Sequence, residues 1–226
     1  MYGIYDLRNF QVNLNGVELV IDEEDGVKVY RRGSVVKYIF AESGRVIVNP
    51  VEPVNLPKNV TRYLLVDLKK SVVVEPKAAC KINLTFPIEI AVILAGKKSL
   101  EVLDVFSFVK QKYTLYGDPR NGVICRYWQS GVFEEESPYI AGKLEVEIEN
   151  SSGEWVEVSK LVFDVYGMKI YYGDGGVSSF ARMNVVSEKV AETEFVDKRV
   201  GKKSVELYVA RKIPMVGRRF VMEWGY

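Results

Sequence analysis

Gln11-Val12-Asn13-Leu14-Asn15-Gly16-Val17-Glu18-Leu19-Val20-Ile21 sets two β-prone runs on either side of an Asn-Gly pair. Asn and Gly both accept the positive φ that a two-residue hairpin turn demands, so the segment predicts a β-hairpin. The same pattern continues outward. The acidic run Asp22-Glu23-Glu24-Asp25 stops at Gly26, Val27-Lys28-Val29-Tyr30 follows, and beyond Arg31-Arg32-Gly33 comes Val35-Val36-Lys37-Tyr38-Ile39-Phe40. Further strands are expected over 45–48, 62–68, 71–75, 81–86, 88–94, 100–109 and 123–128. Pro50, Pro53, Pro57, Pro76 and Pro87 interrupt the pattern, and proline, lacking the ladder donor, belongs at edges, bulges or turns.

Residues 130–142 change character, with Gly131, Glu134-Glu135-Glu136, Pro138 and Gly142 forming a polar connector. A boundary near residue 137 is expected there. Beyond it Lys143-Leu144-Glu145-Val146-Glu147-Ile148-Glu149 alternates cleanly, which places its apolar side chains on one face of a pleat and its charges on the other. Runs over 155–158, 161–165, 169–172, 181–186, 192–196 and 205–210 extend the series, and only 187–193 offers a short helical stretch. The predicted fold is all-β with little helix: two sandwich-like antiparallel domains, residues 1–136 and 137–226.

Composition narrows the function classes. The chain has 226 residues, 48% hydrophobic and 27% charged, enough for a substantial core. Lys plus Arg number 31 against 30 acids, so no overall field draws it to nucleic acid or anionic membrane. Histidine is absent, which removes His-based triads and imidazole metal sites. No cofactor and no metal site is expected. Cys80 and Cys125 are too few and too far apart for a CxxC redox or zinc site, and two buried thiols are the default over a bridge. Few Gln, no His and abundant Val, Tyr, Glu, Lys and Arg resemble heat-adapted usage. No apolar run approaches the roughly 20 residues of a spanning helix, and Met1-Tyr2-Gly3-Ile4-Tyr5-Asp6 has no signal-like core. The expectation is a cytoplasmic protein with no membrane insertion.

The loop motifs fail as standard sites. With Gly26 set as an EF-hand glycine, Ile21 and Arg32 occupy positions that need acids. Tyr171-Tyr172-Gly173-Asp174-Gly175-Gly176 lacks the third glycine of a dinucleotide fingerprint, which would fall at Ser178, and reads as a hairpin tip. The near copies Gly96-Lys97-Lys98-Ser99 and Gly201-Lys202-Lys203-Ser204 lack the upstream glycine of a phosphate loop and read as charged turns guarding strand edges.

The segment richest in candidate chemistry is Lys112-Tyr113-Thr114-Leu115-Tyr116-Gly117-Asp118-Pro119-Arg120-Asn121-Gly122-Val123-Ile124-Cys125-Arg126-Tyr127-Trp128. With Pro57 and the run Pro87-Ile88-Glu89-Ile90 upstream, it resembles an uncharacterised archaeal protein family known as a domain of unknown function. The resemblance covers most of the chain and carries no catalytic signature, so it implies an archaeal origin and no activity. Read from the residues, Tyr116, Tyr127 and Trp128 offer a stacking platform, and Asp118, Arg120 and Arg126 offer polar recognition. The plainer account puts Tyr113, Leu115, Ile124 and Trp128 in the core with Arg126 facing water.

Three functions follow. The leading one is a non-catalytic protein acting through protein contact or self-association, since the chain has many strand edges to manage and numerous interface-prone Tyr and Trp. The second is a module binding a glycan or single-stranded nucleic acid through Tyr116, Asp118, Arg120, Arg126, Tyr127 and Trp128. The third is a hydrolase using Asp118 with one of Glu134, Glu135 or Glu136.

Overall fold

Asn15 and Gly16 adopt φ of 47° and 86°, and Asp25 and Gly26 adopt 50° and 80°. Each pair makes the tight left-handed turn that its side chains tolerate, and the flanking runs pair antiparallel as Leu14↔Val17 and Glu24↔Val27. The computed structural model describes residues 2–96, 99–207 and 219–226. In chain order its strands are β1 Gly3–Asp6, β2 Phe10–Leu14, β3 Val17–Glu24, β4 Val27–Arg32, β5 Val35–Ile39, β6 Arg45–Val51, β7 Tyr63–Val74, β8 Ala79–Pro87, β9 Glu89–Ala95 and β10 Leu100–Phe106. They continue as β11 Tyr113–Tyr116, β12 Val123–Ser130, β13 Ala141–Asn150, β14 Val156–Asp164, β15 Tyr171–Gly173, β16 Gly176–Val185, β17 Ala191–Phe195, β18 Lys202–Lys203 and β19 Phe220–Met222. Among the described residues the helical turns are Leu7–Asn9 and Val165–Gly167, so the all-β expectation holds. The stretch 187–193, expected to allow a short helix, is a turn running into β17.

Two compact units form, one from Met1–Pro50 with Ile90–Phe106 and the other from Val51–Glu89 with Ser107–Tyr226. The division thus differs from an expected break at 136/137. The reason is strand pairing: β8 and β13, on opposite sides of that point, are paired from Ala141↔Pro87 to Glu149↔Ala79. The connector over 130–142 is a loop inside the second unit.

The first unit contains the sheets β2-β3-β4-β5 and β1-β6-β9-β10. Phe10, Leu14, Leu19, Ile21, Tyr30, Val46, Val48 and Ile90 are buried in this unit. A part-buried carboxylate at the margin of this core is satisfied. Asp104 on β10 accepts from the Tyr30 hydroxyl at 2.9 Å and from Arg32 Nε at 2.6 Å, and the Arg32 guanidinium lies 4.6 Å from the Phe106 ring centre. Burial, with the Asp104 charge, pushes the Tyr30 phenol far above the usual tyrosine range.

The second unit contains β11-β12-β7-β14 and the larger sheet β18-β15-β16-β13-β8, to which β17 and β19 attach through β16. Two pairings here are parallel, β12 with β7 and β13 with β16, where antiparallel neighbours were expected. Each is reached through intervening strands, since no crossover helix lies among the described residues. The two runs predicted over 62–68 and 71–75 are one strand, β7, and those over 155–158 and 161–165 are one strand, β14; their pairing shifts register between Val158 and Lys160, where the extra residues lie on β7. The run expected over 205–210 falls partly outside the described residues, as do Lys97 and Lys98 of the first Gly-Lys-Lys-Ser copy. The alternation in β13 behaves as its pattern requires: Leu144, Val146 and Ile148 are fully buried, whereas Glu145, Glu147 and Glu149 are not. Asn150 ends the strand with its buried amide donating to the carbonyls of Val74, Glu75 and Glu154, and accepting from Ser152 N–H.

Gly142 lies opposite Phe86 in the β8–β13 ladder, and a Cβ there would meet the fully buried Phe86 ring at 2.5 Å and Val177 at 3.2 Å. Gly142→Ala is expected to destabilise the protein by about 1–3 kcal/mol through overpacking, read as a lower midpoint in urea unfolding at unchanged slope. An unchanged midpoint would mean that the ring does not cover this glycine.

Candidate acid-lined cleft

The β11–β12 hairpin separates the residues that sequence placed together. Tyr116 is buried, its hydroxyl donates to the Gly225 carbonyl at 2.9 Å, and its ring meets Trp224 edge-on at 5.7 Å. Asp118 caps the turn, accepting from the backbone N–H of Arg120 and of Asn121, and these bonds hold its carboxyl below the usual range. Arg120 is exposed beside it. Tyr127 donates to Asp67 at 2.7 Å, which raises its phenol. Trp128 Nε1 donates to Thr85 Oγ1 at 2.9 Å, and Thr85 in turn donates to the buried Ser130 hydroxyl. Alternation along β12 puts Arg126 and Trp128 on one face and Tyr127 on the other. The aromatic side chains here are thus largely held by internal partners.

Arg126 is the largest fully buried side chain, 1% exposed. Its Nε and Nη1 donate no hydrogen bond, and its guanidinium carbon lies 5.8 Å from the Tyr113 ring centre. Burial pulls it below the usual arginine range, and the charge of Glu89 opposes that pull. Glu89, at the start of β9, is equally buried; Oε2 accepts from Asn55 N–H at 2.9 Å while Oε1 has no partner. Burial pushes its carboxyl up to about 7, against the Asn55 hydrogen bond and the Arg126 charge. Cys125, adjacent on the other face, is a buried free thiol pushed up to about 12, and Cys80 is also free.

A concave site lies elsewhere in the second unit. A cleft of about 390 Å³ is walled by β8, β13, β16 and the loop over 131–138. Asn83 and Thr85 come from β8, Gly142 and Lys143 from β13, and Val177 from β16, so the β8–β13–β16 pairing makes the floor. Glu134, Glu135, Glu136 and Asp174 ring the mouth with the exposed Phe133 and Pro138. The acidic loop is pinned at two points. Phe133 N–H donates to the Asn83 carbonyl at 2.7 Å, and Glu134 accepts from Gly131 N–H at 2.7 Å and from Lys69. The Lys69 bond first, then the Gly131 bond, hold the Glu134 carboxyl below its usual range. Glu135, Glu136 and Asp174 have no ion-pair partner among the described residues. Asn83 Oδ1 is buried without a donor. A neighbouring cleft of about 410 Å³ on the other side of the 173–176 tip shares Lys143 and Asp174 and adds Tyr172, Ser179, Phe180 and Lys198.

Of the sequence candidates, Glu134, Glu135 and Glu136 reach this cleft, whereas Asp118 does not line it. Sequence reasoning did not select Asn83, Lys143 or Asp174. The acidic triplet and the glycine-rich tip were visible in the sequence; the pairing that brings them to one cleft was not. Among the described residues no group of His, Cys, Asp or Glu is arranged to hold a metal ion, and no helix is long and apolar enough to cross a membrane.

The family model described as a protein of unknown function, DUF432, matches residues 1–223, and the chain belongs to that family. No curated protein and no solved structure matches the chain.

Glu89 gives the core a pH dependence. Its carboxyl is raised from 4.5 to about 7, so within that window the folded protein holds a proton that the unfolded chain has lost. The stability that this proton confers is complete at about pH 4.5 and is lost as pH rises through about 7, a fall on the order of 3 kcal/mol. Glu89→Gln keeps an acceptor for Asn55 and cannot ionise. Urea unfolding across this window is expected to show declining stability for the protein and a level profile for the variant; parallel profiles contradict the assignment.

Proposed function

We propose that this member of the family is a non-catalytic β-rich protein that works by protein contact, holding a lysine- or arginine-bearing segment of a partner in the acid-lined cleft. One observation carries the reading: among the described residues, the carboxylates left without a cation around the cleft outnumber its one unpaired cation, Lys143. Glu135, Glu136 and Asp174 stand at its mouth without a cation, and Asn83 Oδ1 is buried beneath without a donor. Lys143 is the opposing charge at the rim. An ammonium or guanidinium supplies both positive charge and hydrogen-bond donors, while Phe133 and Pro138 offer apolar cover to its aliphatic stem. The same carboxylates repel a phosphate backbone, which disfavours a single-stranded nucleic acid in this cleft. A glycan or nucleic-acid role for the 116–128 hairpin rests on Arg120 and the half-exposed faces of Tyr127 and Trp128, since Tyr116 and Arg126 are buried. The setting we propose is the cytoplasm of a heat-adapted archaeon, supported by the family resemblance and the composition.

Calorimetric titration with a hexalysine peptide tests the reading. Binding should weaken with added salt, and Glu135→Gln with Glu136→Gln and Asp174→Asn together should weaken it roughly ten-fold or more, as expected from losing three exposed charge contacts. Equal affinity for the protein and the triple variant would overturn the proposal, as would binding of an uncharged oligosaccharide in place of the peptide.

A further inference from the structure

β5 is an outer strand of the β2-β3-β4-β5 sheet in the first unit, and its edge is poorly guarded. The outer strand β10 carries an extra residue between Val102 and Asp104, the pairing of the outer strand β14 with β7 shifts register, and β8 ends at Pro87; bulges and prolines are common protections against edge pairing. β5 pairs with β4 without interruption and contains neither Pro nor Gly. Gly33 and Ser34 alone join the two strands, with Arg32 facing Val35. The closing pair of such a two-residue hairpin is hydrogen-bonded, so Val35, Lys37 and Ile39 direct their backbone groups to β4, while Val36 and Tyr38 direct theirs outward. Val36, Tyr38 and the following Phe40 are also 48%, 68% and 87% exposed. Open backbone groups and apolar side chains therefore coincide on one edge.

We propose that β5 pairs antiparallel with β5 of a second copy of this chain, about a two-fold axis through Tyr38. This register sets Tyr38 against Tyr38, Val36 against Phe40 and Lys37 against Ile39. It brings aromatic and β-branched side chains into cross-strand contact and places no like charges opposite one another. An axis one residue earlier sets Lys37 against Lys37, so the lysine that guards the edge disfavours that alternative while permitting this one. The contact is isologous: it uses the same patch on both copies and closes at the dimer. It joins two four-stranded sheets into one continuous sheet, and it is independent of the acid-lined cleft.

The test uses the full chain. Sedimentation equilibrium should show a concentration-dependent dimer, abolished by Tyr38→Lys. The register is read by cysteine cross-linking under mild oxidation, with the unsubstituted protein as the control for Cys80 and Cys125. Two residues facing each other across a hydrogen-bonded antiparallel pair have Cα atoms about 5.5 Å apart, within disulfide range. Tyr38→Cys should therefore give roughly ten-fold more covalent dimer than Val36→Cys or Lys37→Cys, which meet Phe40 and Ile39 instead. A strictly monomeric protein overturns the proposal, and so does equal cross-linking at the three positions.

Discussion

Double pairing of β13 is the constraint on which the second unit depends. A strand with β8 antiparallel on one side and β16 parallel on the other has its backbone donors and acceptors consumed along its length, and its apolar alternation is fixed in register. A one-residue slip would turn Leu144, Val146 and Ile148 out of the core and drive three glutamates into it. The same pairing brings Asn83 and Thr85, Gly142 and Lys143, and Val177 side by side, so the floor of the cleft follows from the register of the sheet. Gly142 completes the arrangement, because a side chain there would occupy the space of the Phe86 ring.

Charge is used differently in the two units. Asp104 is part-buried in the first unit with its acceptors met by Tyr30 and Arg32, an arrangement in which desolvation is offset by direct hydrogen bonds. Arg126 and Glu89 in the second unit are buried with three polar atoms unpartnered. Their mutual attraction opposes a desolvation cost that geometry does not relieve, which is why Glu89 holds its proton to about 7. Around the cleft the carboxylates of Glu135, Glu136 and Asp174 remain without an ion-pair partner among the described residues.

Much of the strand content was legible because the local signals are strong. Asn15-Gly16 and Asp25-Gly26 specify their turns by backbone tolerance alone, and the Leu144–Val146–Ile148 alternation names its own buried face. What could not be read was partnership between distant segments. Nothing local in 63–68 and 123–130 indicates that β7 and β12 run parallel, and nothing in the polar stretch 130–142 indicates that β8 pairs across it. The surroundings of the 113–128 hairpin could not be read for the same reason. The hairpin over 113–128 is rich in chemistry-bearing side chains, but Arg126 shares a face with Trp128 and lies opposite the fully buried Leu64 on β7, so it is covered, whereas the acidic triplet gains an open cleft from strands far away in sequence.

Hydrogen–deuterium exchange of the protein alone and with a lysine-rich peptide examines the central claim, that this protein works by contact at the acid-lined cleft. Slowed exchange is expected only over the 83–85, 131–143 and 173–177 backbone, with the 112–128 hairpin unchanged. Protection of that hairpin instead, or no protection at the cleft at saturating peptide, would contradict it.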